Sequence, residues 1–381
     1  MKQIPGELPE TVQRARGLVL RYGWNAMAYQ ILNPGLRYWF AAGGEAVVGY
    51  VLAGRCRVVA GAPVCAEERL AATAAGFAAD AHASGQWVCY FGAQDRLIAM
   101  LAERGPMSEL LLGAQPVWDP RHWPGIVAGK ASLRAQLARA RNKGVSVRAL
   151  PAGSSAEPAA LQRCLDEWLA TRGLPPMHFL VEWDILPRLL DRRLFVAERA
   201  ERAERDDPDG PDGPGGRIVG FLIASPIPLR HGWLIEQIIR GRGAPNGTTE
   251  LLLDAAVRAL AADGSAYVTL GLSPLSRSVS QDPPPPWTVR LLLGLVRIHA
   301  RRFYNFEGLE RFKSKFQPES WEPIYAVTDR PRITVWTLHA IAGAFGGAHP
   351  VLFIGRALLR ALAQEARWAL SLLFTSPGRS G

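Results

Sequence analysis

Residues 236–252, EQIIRGRGAPNGTTELL, place a strand-like run, a tight turn and the start of a helix in direct succession. The apolar run Trp233–Arg240 predicts a strand, and Pro-Asn-Gly at 245–247 is typical of a turn. Helical periodicity extends over Thr248–Ala262, and a further strand-like run follows at Ala266–Gly271. A strand, helix and strand in this order predict an α/β (α+β) fold.

The predicted start of the helix is also the first candidate binding site. Asn246 or Thr248 is suited to cap it, and the free N–H groups of a helix start attract a phosphate or carbonyl oxygen. On a flat strand, Glu236 and Arg240 share one face and Gln237 points away. A bulge would instead bring Gln237 and Arg240 together in a cleft. An ion pair beside an ordinary turn explains this segment equally well.

The same alternation of strands and helices extends along the rest of the chain. Predicted strands before residue 115 are Arg37–Phe40, Ala46–Leu52, Cys56–Ala60 and Trp87–Phe91, with a helix over Glu67–His82. Later predictions are a helix over Leu161–Thr171 and strands over Leu194–Glu198 and Arg217–Ser225, separated by a Gly/Pro/Asp-rich loop. We expect an N-terminal domain at 1–125, a basic linking helix at 126–150, a second domain at 151–330 and a helical tail at 331–381.

Composition narrows the partners and the compartment. The chain has 381 residues, a formal net charge of +10 and a pI near 9.8, which implies an anionic partner. Nucleic acid, a phospholipid surface and an acidic metabolite all satisfy this condition. Four unpaired cysteines are typical of reduced thiols in the cytosol, and no histidine or cysteine lies at a metal-ligand interval. We therefore predict no metal.

One stretch concentrates the positive charge. Residues 120–156 contain seven Lys or Arg and no Asp or Glu. Within it, Ser132–Asn142 is a predicted helix with Ser132 as N-cap and Gly144 just after its end. A solvated helix face and an anion-binding surface are both consistent with this pattern. A second basic helix is predicted over Thr288–Phe303.

The C-terminal tail is unusually apolar. Ile333 to Gly355 is a run of 23 residues without a formal charge, long enough to cross a bilayer but interrupted by glycines and Pro350. Val351–Phe374 predicts an amphipathic helix. We expect a helical pair that packs on the domain or lies in the membrane interface, with an ordinary core-covering helix as the alternative. Met1 to Glu10 lacks an apolar segment, so no secretory signal is expected.

Several common catalytic motifs are absent. The segment GIVAGKA at 125–131 is one residue short of a P-loop and lacks its Ser or Thr. No G-x-S-x-G sequence occurs, and Gly241-x-Gly243 lacks the third glycine of a dinucleotide fingerprint. The sequence therefore gives no support for a P-loop NTPase, for a serine hydrolase with a G-x-S-x-G motif or for a dinucleotide-binding enzyme.

Two downstream segments complete a recognisable pattern: VTLGLSPLS at 268–276 and FYNFEGLERFKSKF at 303–316. With 236–252 they follow the order D-x-x-R, P-N-G-T, L-G-x-[AS]-P-L-[SA] and Y-N-F-x-G-L-x-x-F-K-x-K-F. The chain resembles, on these motifs, the C-terminal domain of the phosphatidylglycerol lysyltransferase (aminoacyl-phosphatidylglycerol synthase) family. Weaker matches at 61–63 and 132–144 extend the resemblance over roughly residues 20 to 330.

The resemblance implies two fused acyltransferase domains of the GCN5-related type, with mixed central sheets and the active cleft mostly in the second. It also implies that a lipid hydroxyl attacks the aminoacyl ester of a charged tRNA. This exchange of esters needs no cofactor. The implied partners are aminoacyl-tRNA and an anionic phospholipid surface. The implied location is the cytoplasm, peripherally at the inner face of the membrane, while the oligomeric state stays open.

The motifs also imply roles for individual residues. Glu236 is expected to hold the aminoacyl ammonium or assist proton transfer, and Arg240, Lys313 and Lys315 to contact phosphate or carboxyl groups. A cationic crevice is expected beside Asn246 and Lys313. The predicted catalytic residues are Glu236, Gln237, Arg240 and Lys313. The predicted substrate-binding residues are Asn246, Gly247, Thr248, Ser273, Tyr304, Asn305, Lys315, Arg134 and Arg141.

The chain departs from the family pattern in two ways. Gln237 replaces the aspartate of D-x-x-R, and an amide neither binds an ammonium nor takes a proton as a carboxylate does. The chain also lacks the multi-helix membrane domain of the best-known members, so we expect it not to flip its product across a bilayer. Two alternatives follow: a related acyltransferase with another acceptor or an acyl-CoA donor, and a non-catalytic lipid- or RNA-binding protein.

Overall fold

A computed structural model describes residues 8–103, 107–150, 158–171, 179–180, 182, 185–200, 216–281, 287, 289–290 and 306–346. The helices described here are α1 (Glu10–Tyr22), α2 (Leu70–Ala83), α3 (Asp95–Ala102), α4 (Trp123–Gly129), α5 (Ala131–Asn142), α6 (Pro158–Leu169), α7 (Thr248–Ala262), α8 (Phe306–Ser314) and α9 (Val335–Gly346).

The strands described here are β1 (Arg37–Phe40), β2 (Val47–Ala53), β3 (Cys56–Ala60), β4 (Trp87–Ala93), β5 (Ser108–Trp118), β6 (Val145–Leu150), β7 (Arg193–Arg199), β8 (Arg217–Ile227), β9 (Gly232–Arg240), β10 (Tyr267–Thr269), β11 (Ser273–Pro274) and β12 (Ser320–Thr328). They form one sheet in the order β1-β2-β3-β4-β12-β5-β10-β9-β8-β7-β6, with β11 beside β5.

The sheet repeats one pattern in its two halves. In the first half, β1, β2 and β3 pair antiparallel, and α2 then connects β3 to the parallel strand β4. In the second half, β6 to β9 pair antiparallel, and α7 connects β9 to the parallel strand β10. The α/β class with a mixed sheet is therefore confirmed, and the tandem arrangement appears as this repeated topology.

Strands from distant parts of the chain meet at the centre of the sheet. Strand β12 lies between β4 and β5 and is antiparallel to both, while β5 continues the sheet to β10. The last described strand of the chain is thus inserted among strands of the first half. The sheet is continuous from one half to the other. The four-part domain division of the chain stays a prediction.

Large apolar side chains pack the helices onto the sheet. Around α5 and α7 the core includes Trp118, Trp123 and Phe316, each at most 1% exposed. The Trp123 ring stacks on Phe316 with centroids 5.9 Å apart, and its Nε1 donates to Asp254 at 3.0 Å. Burying side chains of this size contributes about 1.5–3 kcal/mol each. This packing fixes α7, and with it the turn before α7, against the sheet.

Local periodicity located most elements, and the structure differs from the predictions at several others. Helix α5 begins at Ala131 and Lys130 precedes it without a side-chain cap, so the prediction of Ser132 as N-cap is wrong. The elements that were not predicted are strands β5, β6, β11 and β12 and helices α1, α3, α4 and α8. In β5, Gly113 has a φ of +149° and interrupts the alternation of apolar residues. Most of the helix predicted at 288–303 and most of the Gly/Pro/Asp-rich loop lie outside the described residues.

Helix α9 is the part of the C-terminal tail that the structure describes. It packs on β2 and β3, and the Phe345 ring contacts Phe91 with centroids 5.0 Å apart. Its outer side exposes Val335 and Trp336, the latter by 74%. The amphipathic helix predicted over Val351–Phe374 lies outside the described residues. Within the described ranges, no helix has the length and apolar character needed to cross a bilayer.

Candidate active site

The sheet opens between β9 and β10. In the first half, the parallel strands β3 and β4 pair over five residues, whereas β9 and β10 pair over only three, ending at Leu234 and Thr269. Beyond that point the chain leaves β9 and continues as β11 beside β5. Among the described residues no strand pairs with the edge of β9 from Ile235 to Arg240, so this edge borders an opening in the described sheet. Main-chain groups at such an opening are available to a ligand.

Strand β9 carries a bulge, as the sequence suggested. Its register against β8 shifts so that Glu236 is the extra residue. After the bulge, Gln237 and Ile239 lie on the face of the α6 core, whereas Ile238 and Arg240 lie on the face of the α5–α7 core. The bulge therefore places Gln237 and Arg240 on opposite faces and does not bring them together.

Glu236 is part of a buried ion pair. Arg192 Nε donates to Glu236 Oε1 at 2.9 Å, and the two side chains are 3% and 9% exposed. Arg192 also donates to Asn33 Oδ1 at 3.4 Å and lies over the Tyr29 ring at 4.7 Å. The pair thus connects β9 with the first half of the chain. A substrate ammonium at Glu236 would have to share the carboxylate with Arg192.

Gln237 uses its amide as a donor. The side chain is buried, and Nε2 donates to the main-chain carbonyl of Glu182 at 2.7 Å. A carboxylate at this position would place an acceptor against another acceptor. The replacement of the family aspartate is therefore accommodated by the local hydrogen bonding.

The turn after β9 holds Arg240 and Asn246 together. Arg240 donates to the carbonyl of Ala244 at 2.9 Å and to Asn246 Oδ1 at 3.1 Å. Thr248 Oγ1 donates to the Pro245 carbonyl at 2.8 Å, and Gly247 is the N-cap without a side-chain cap bond. The prediction that Asn246 or Thr248 caps the helix is therefore wrong. Asn246 Oδ1 accepts a hydrogen bond from Arg240, and Thr248 Oγ1 donates one to the Pro245 carbonyl, so both side chains bond within the turn.

We expect Gly247→Ala to destabilise the protein by at least about 2 kcal/mol. Gly247 has a φ of +95°, and an added Cβ would lie 2.1 Å from the carbonyl oxygen of Gln136 on α5. Urea unfolding measures the loss. The matched control is Gly243→Ala in the same turn, where nothing lies within 4 Å of the added Cβ. Equal stability of the two variants would contradict this close approach of α5 and α7.

Lys313 points inward from α8 and is 4% exposed. Its Nζ donates to the carbonyls of Gly271 at 2.8 Å and Leu272 at 2.9 Å, where the chain leaves β10. Burial lowers the pKa of Lys313 to about 7. The cation that was expected to contact phosphate or carboxyl groups is thus a buried amine at the opening. Next to it, Ser273 Oγ is buried and has no hydrogen-bond partner in the described part of the chain.

Lys315 lies on the accessible side of α8. Its Nζ bonds to Glu250 of α7, and it lies over the Phe316 ring at 5.6 Å. It borders an open groove of about 590 Å³ between α8 and the start of α5. The groove is lined by Lys130, Ser132, Gly308, Arg311, Phe312, Ser314 and Lys315.

The groove differs from the crevice expected beside Asn246 and Lys313, neither of which lines it. It adds Lys130 and Arg311, which sequence reasoning had not assigned to the site. Two signals pointed to them: Lys130 lies in the acid-free stretch, and Arg311 precedes Lys315 by one helical turn.

Two predicted substrate contacts are engaged elsewhere. Arg134 donates to the carbonyl of Ala128 at the end of α4, and Arg141 pairs with the buried Asp254 at 3.3 Å. Both side chains hold α5 in place. Tyr304 and Asn305 lie outside the described residues. In the described ranges, no group of three His, Cys, Asp or Glu is placed to hold a metal ion.

Comparison with known proteins decides the family. Residues 16–328 match the profile described as "Phosphatidylglycerol lysyltransferase, C-terminal". The chain belongs to this family. A curated relative is the phosphatidylglycerol lysyltransferase of Bacillus subtilis (strain 168), 23% identical over 336 residues. The match covers 88% of this chain and 37% of that relative, so the chain spans little more than a third of its length.

Solved structures of the family share the fold. The C-terminal domain (DUF2156) of a putative lysylphosphatidylglycerol synthetase from Agrobacterium fabrum superimposes with a TM-score of 0.72 at 23% identity, covering 89% of this chain and 98% of that one. L-PGS from Bacillus licheniformis gives 0.70 at 21% identity, covering 94% and 98%. The family assignment made from the motifs is confirmed.

Proposed function

We propose that this chain transfers an aminoacyl group from aminoacyl-tRNA to the hydroxyl of a membrane phospholipid such as phosphatidylglycerol. The observation that carries the proposal is the buried amine of Lys313, held on two carbonyls where the sheet opens. Family membership over residues 16–328 supplies the reaction class. The expected catalytic roles of Arg240 and Lys313 belong to this proposal.

The reaction is an exchange of esters. The lipid hydroxyl oxygen forms a bond to the aminoacyl carbonyl carbon, and the bond from that carbon to the ribose oxygen breaks. The proton of the lipid hydroxyl ends on the ribose oxygen, so atoms and charges balance. With a pKa of about 7, Lys313 is partly neutral at physiological pH. In this proposal its neutral amine takes the proton from the lipid hydroxyl and returns it to the leaving oxygen.

The groove supplies positioning. Lys130, Arg311 and Lys315 surround an open space that suits a phosphate of the donor or the acceptor. Such contacts neutralise charge when two polyanions meet and orient the reacting groups. The acceptor lipid implies that the protein acts peripherally at the cytoplasmic face of a membrane.

The test uses the purified chain with aminoacyl-tRNA labelled in its amino acid and liposomes containing phosphatidylglycerol. Label in the lipid phase, absent without protein, supports the proposal. Label that stays on bound tRNA supports the non-catalytic alternative. Transfer that occurs only from acyl-CoA supports a different acyltransferase. Replacing phosphatidylglycerol by phosphatidylcholine tests whether a free headgroup hydroxyl is required.

A further inference from the structure

We propose that the outer side of α9 docks on an anionic lipid bilayer. This inference rests on the proposed function, because it names the surface that brings the chain to the membrane holding its acceptor. The α9 surface consists of Val335 and Trp336 in the first turn of the helix, His339 one turn later, and Arg332 just before the helix. All four residues are exposed.

The α9 surface combines apolar and polar side chains in one exposed patch. Of the large apolar side chains that the structure describes, Trp336 is the most exposed, at 74%, and Val335 beside it is 53% exposed. The Trp336 ring meets the His339 ring nearly at right angles, with centroids 6.2 Å apart. Adjacent exposed apolar side chains with a polar rim mark an interaction site. Tryptophan in particular is enriched at the interface between a bilayer and water.

The rest of α9 holds this patch in a fixed orientation. The inner side of the helix is buried against β2 and β3, and it consists of Thr337, Ala340, Ile341 and Ala344. At the start of the helix, Thr334 N donates to Thr337 Oγ1 at 3.3 Å. The helix therefore cannot bury Val335 and Trp336 by rotating without exposing its inner side.

Charge favours an anionic bilayer over other partners. Arg330 and Arg332 are exposed directly before the helix, and no Asp or Glu occurs from Arg330 to Gly346. Residues 347–381 contain four arginines and one acid, Glu365. Those residues, or the same surface of a second copy, would therefore bring arginines against arginines. Anionic headgroups instead attract the arginines, and the bilayer interface accommodates the tryptophan ring.

The inner side of α9 is connected to the candidate active site by apolar packing. The Phe345 ring contacts Phe91 and Phe179, with centroids 5.0 and 5.3 Å away. Leu272, whose carbonyl accepts from Lys313, packs on the same apolar cluster. Docking through α9 therefore places the bilayer against the part of the core that reaches the buried amine.

The experiment compares Trp336→Ser with Leu229→Ser, which removes an apolar side chain that is 45% exposed outside α9. Sedimentation measures binding of the full chain to liposomes made of phosphatidylglycerol and phosphatidylcholine. Trp336→Ser is expected to weaken binding by about 10-fold, because the ring no longer leaves water on docking. Leu229→Ser is expected to bind as wild type does. Equal binding by wild type and Trp336→Ser overturns the proposal.

Arg332→Gln tests the charge of the α9 surface, with Arg55→Gln as its control. Arg55 is also exposed, but it donates to the carbonyl of Gly85 just after α2. Arg332→Gln is expected to weaken binding to the anionic liposomes by about 5-fold and to leave binding to pure phosphatidylcholine unchanged. Arg55→Gln is expected to have no effect. Equal losses in the two variants would show that net charge alone drives binding and would overturn the proposal.

Other occupants of the surface give a different result. If Trp336→Ser lowers the melting temperature or changes the oligomeric state while liposome binding is unchanged, the chain itself or a second copy covers Trp336. Either result overturns the proposal. Differential scanning calorimetry and sedimentation velocity of the same variants measure these two properties.

Transfer assays separate docking from the chemistry. Trp336→Ser is expected to slow transfer to phosphatidylglycerol in liposomes but not to a short-chain phosphatidylglycerol dissolved as monomers. An equal loss with the dissolved lipid would show that Trp336 supports the site itself and would overturn the proposal. If wild type transfers to neither lipid, the proposed function fails, while the liposome-binding comparison still decides the role of α9.

Discussion

Lys313→Met is expected to reduce aminoacyl transfer by at least about 100-fold, the lower end of what a general base contributes. In the wild type, the rate is expected to rise with pH through about 7, as buried Lys313 becomes neutral, and then to level off. Lys313→Arg is expected to be equally inactive because its guanidinium stays charged. Initial rates of label entering lipid between pH 6 and 9, corrected for spontaneous hydrolysis of the donor ester, measure both effects.

The matched control is Lys315→Met, two residues away on α8. Lys315 is partly exposed and paired with Glu250, so its loss is expected to weaken substrate binding without moving the pH profile. A Lys313→Met variant that keeps both its rate and a rise near pH 7 would show that another group moves the proton. Loss of the rise in Lys315→Met would have the same meaning.

The same lysine predicts how stability depends on pH. Its pKa is lowered from 10.5 to about 7 in the folded chain, so between these values the unfolded chain binds more protons. The free energy of unfolding therefore rises with pH across this window, by on the order of 1 kcal/mol per pH unit from this group. Urea unfolding of wild type and Lys313→Met at pH 7 and 9 isolates the contribution, because the variant lacks it.

Arg192→Met is expected to destabilise the protein by about 3–5 kcal/mol, because it leaves the carboxylate of Glu236 buried without its partner. The two side chains are 3% and 9% exposed, so water does not replace the lost ion pair. The double variant Arg192→Met/Glu236→Met is expected to recover most of the loss, since no isolated charge remains buried. Denaturant unfolding of the three proteins gives these differences.

An exposed pair provides the control. Arg69 and Glu45 lie 2.8 Å apart but are 50% and 53% exposed, so Arg69→Met is expected to cost no more than about 1 kcal/mol. If Arg192→Met lowers the free energy of unfolding by no more than Arg69→Met does, the Arg192–Glu236 pair is not the buried ion pair described above. Measuring aminoacyl transfer by the Arg192→Met/Glu236→Met double variant then tests whether Glu236 takes part in the chemistry. A folded but inactive double variant supports a chemical role, and an active one assigns Glu236 to structure.

Predictions from local sequence succeeded where one segment encodes its own element. Thr248–Ala262 was predicted with the observed bounds of α7, because its apolar positions repeat at helical spacing after a Pro-Asn-Gly turn. Strands Arg37–Phe40 and Cys56–Ala60 were likewise predicted with their observed bounds. Strands β5 and β12 were missed. Their pairing depends on residues about 200 positions apart, and glycine or proline interrupts their apolar patterns.

The sequence by itself determined the fold class, the family and the types of residue at the site, because periodicity and motif order are local properties of the chain. Only the tertiary structure decided what those residues contact. Lys313 turns inward to carbonyls 41 and 42 positions earlier, and Glu236 meets Arg192 across 44 positions. Burial and charge depend on every segment packed around a side chain. The lowered pKa of the buried Lys313 amine and the ion pair between Glu236 and Arg192 therefore follow from packing, which the order of residues alone does not reveal.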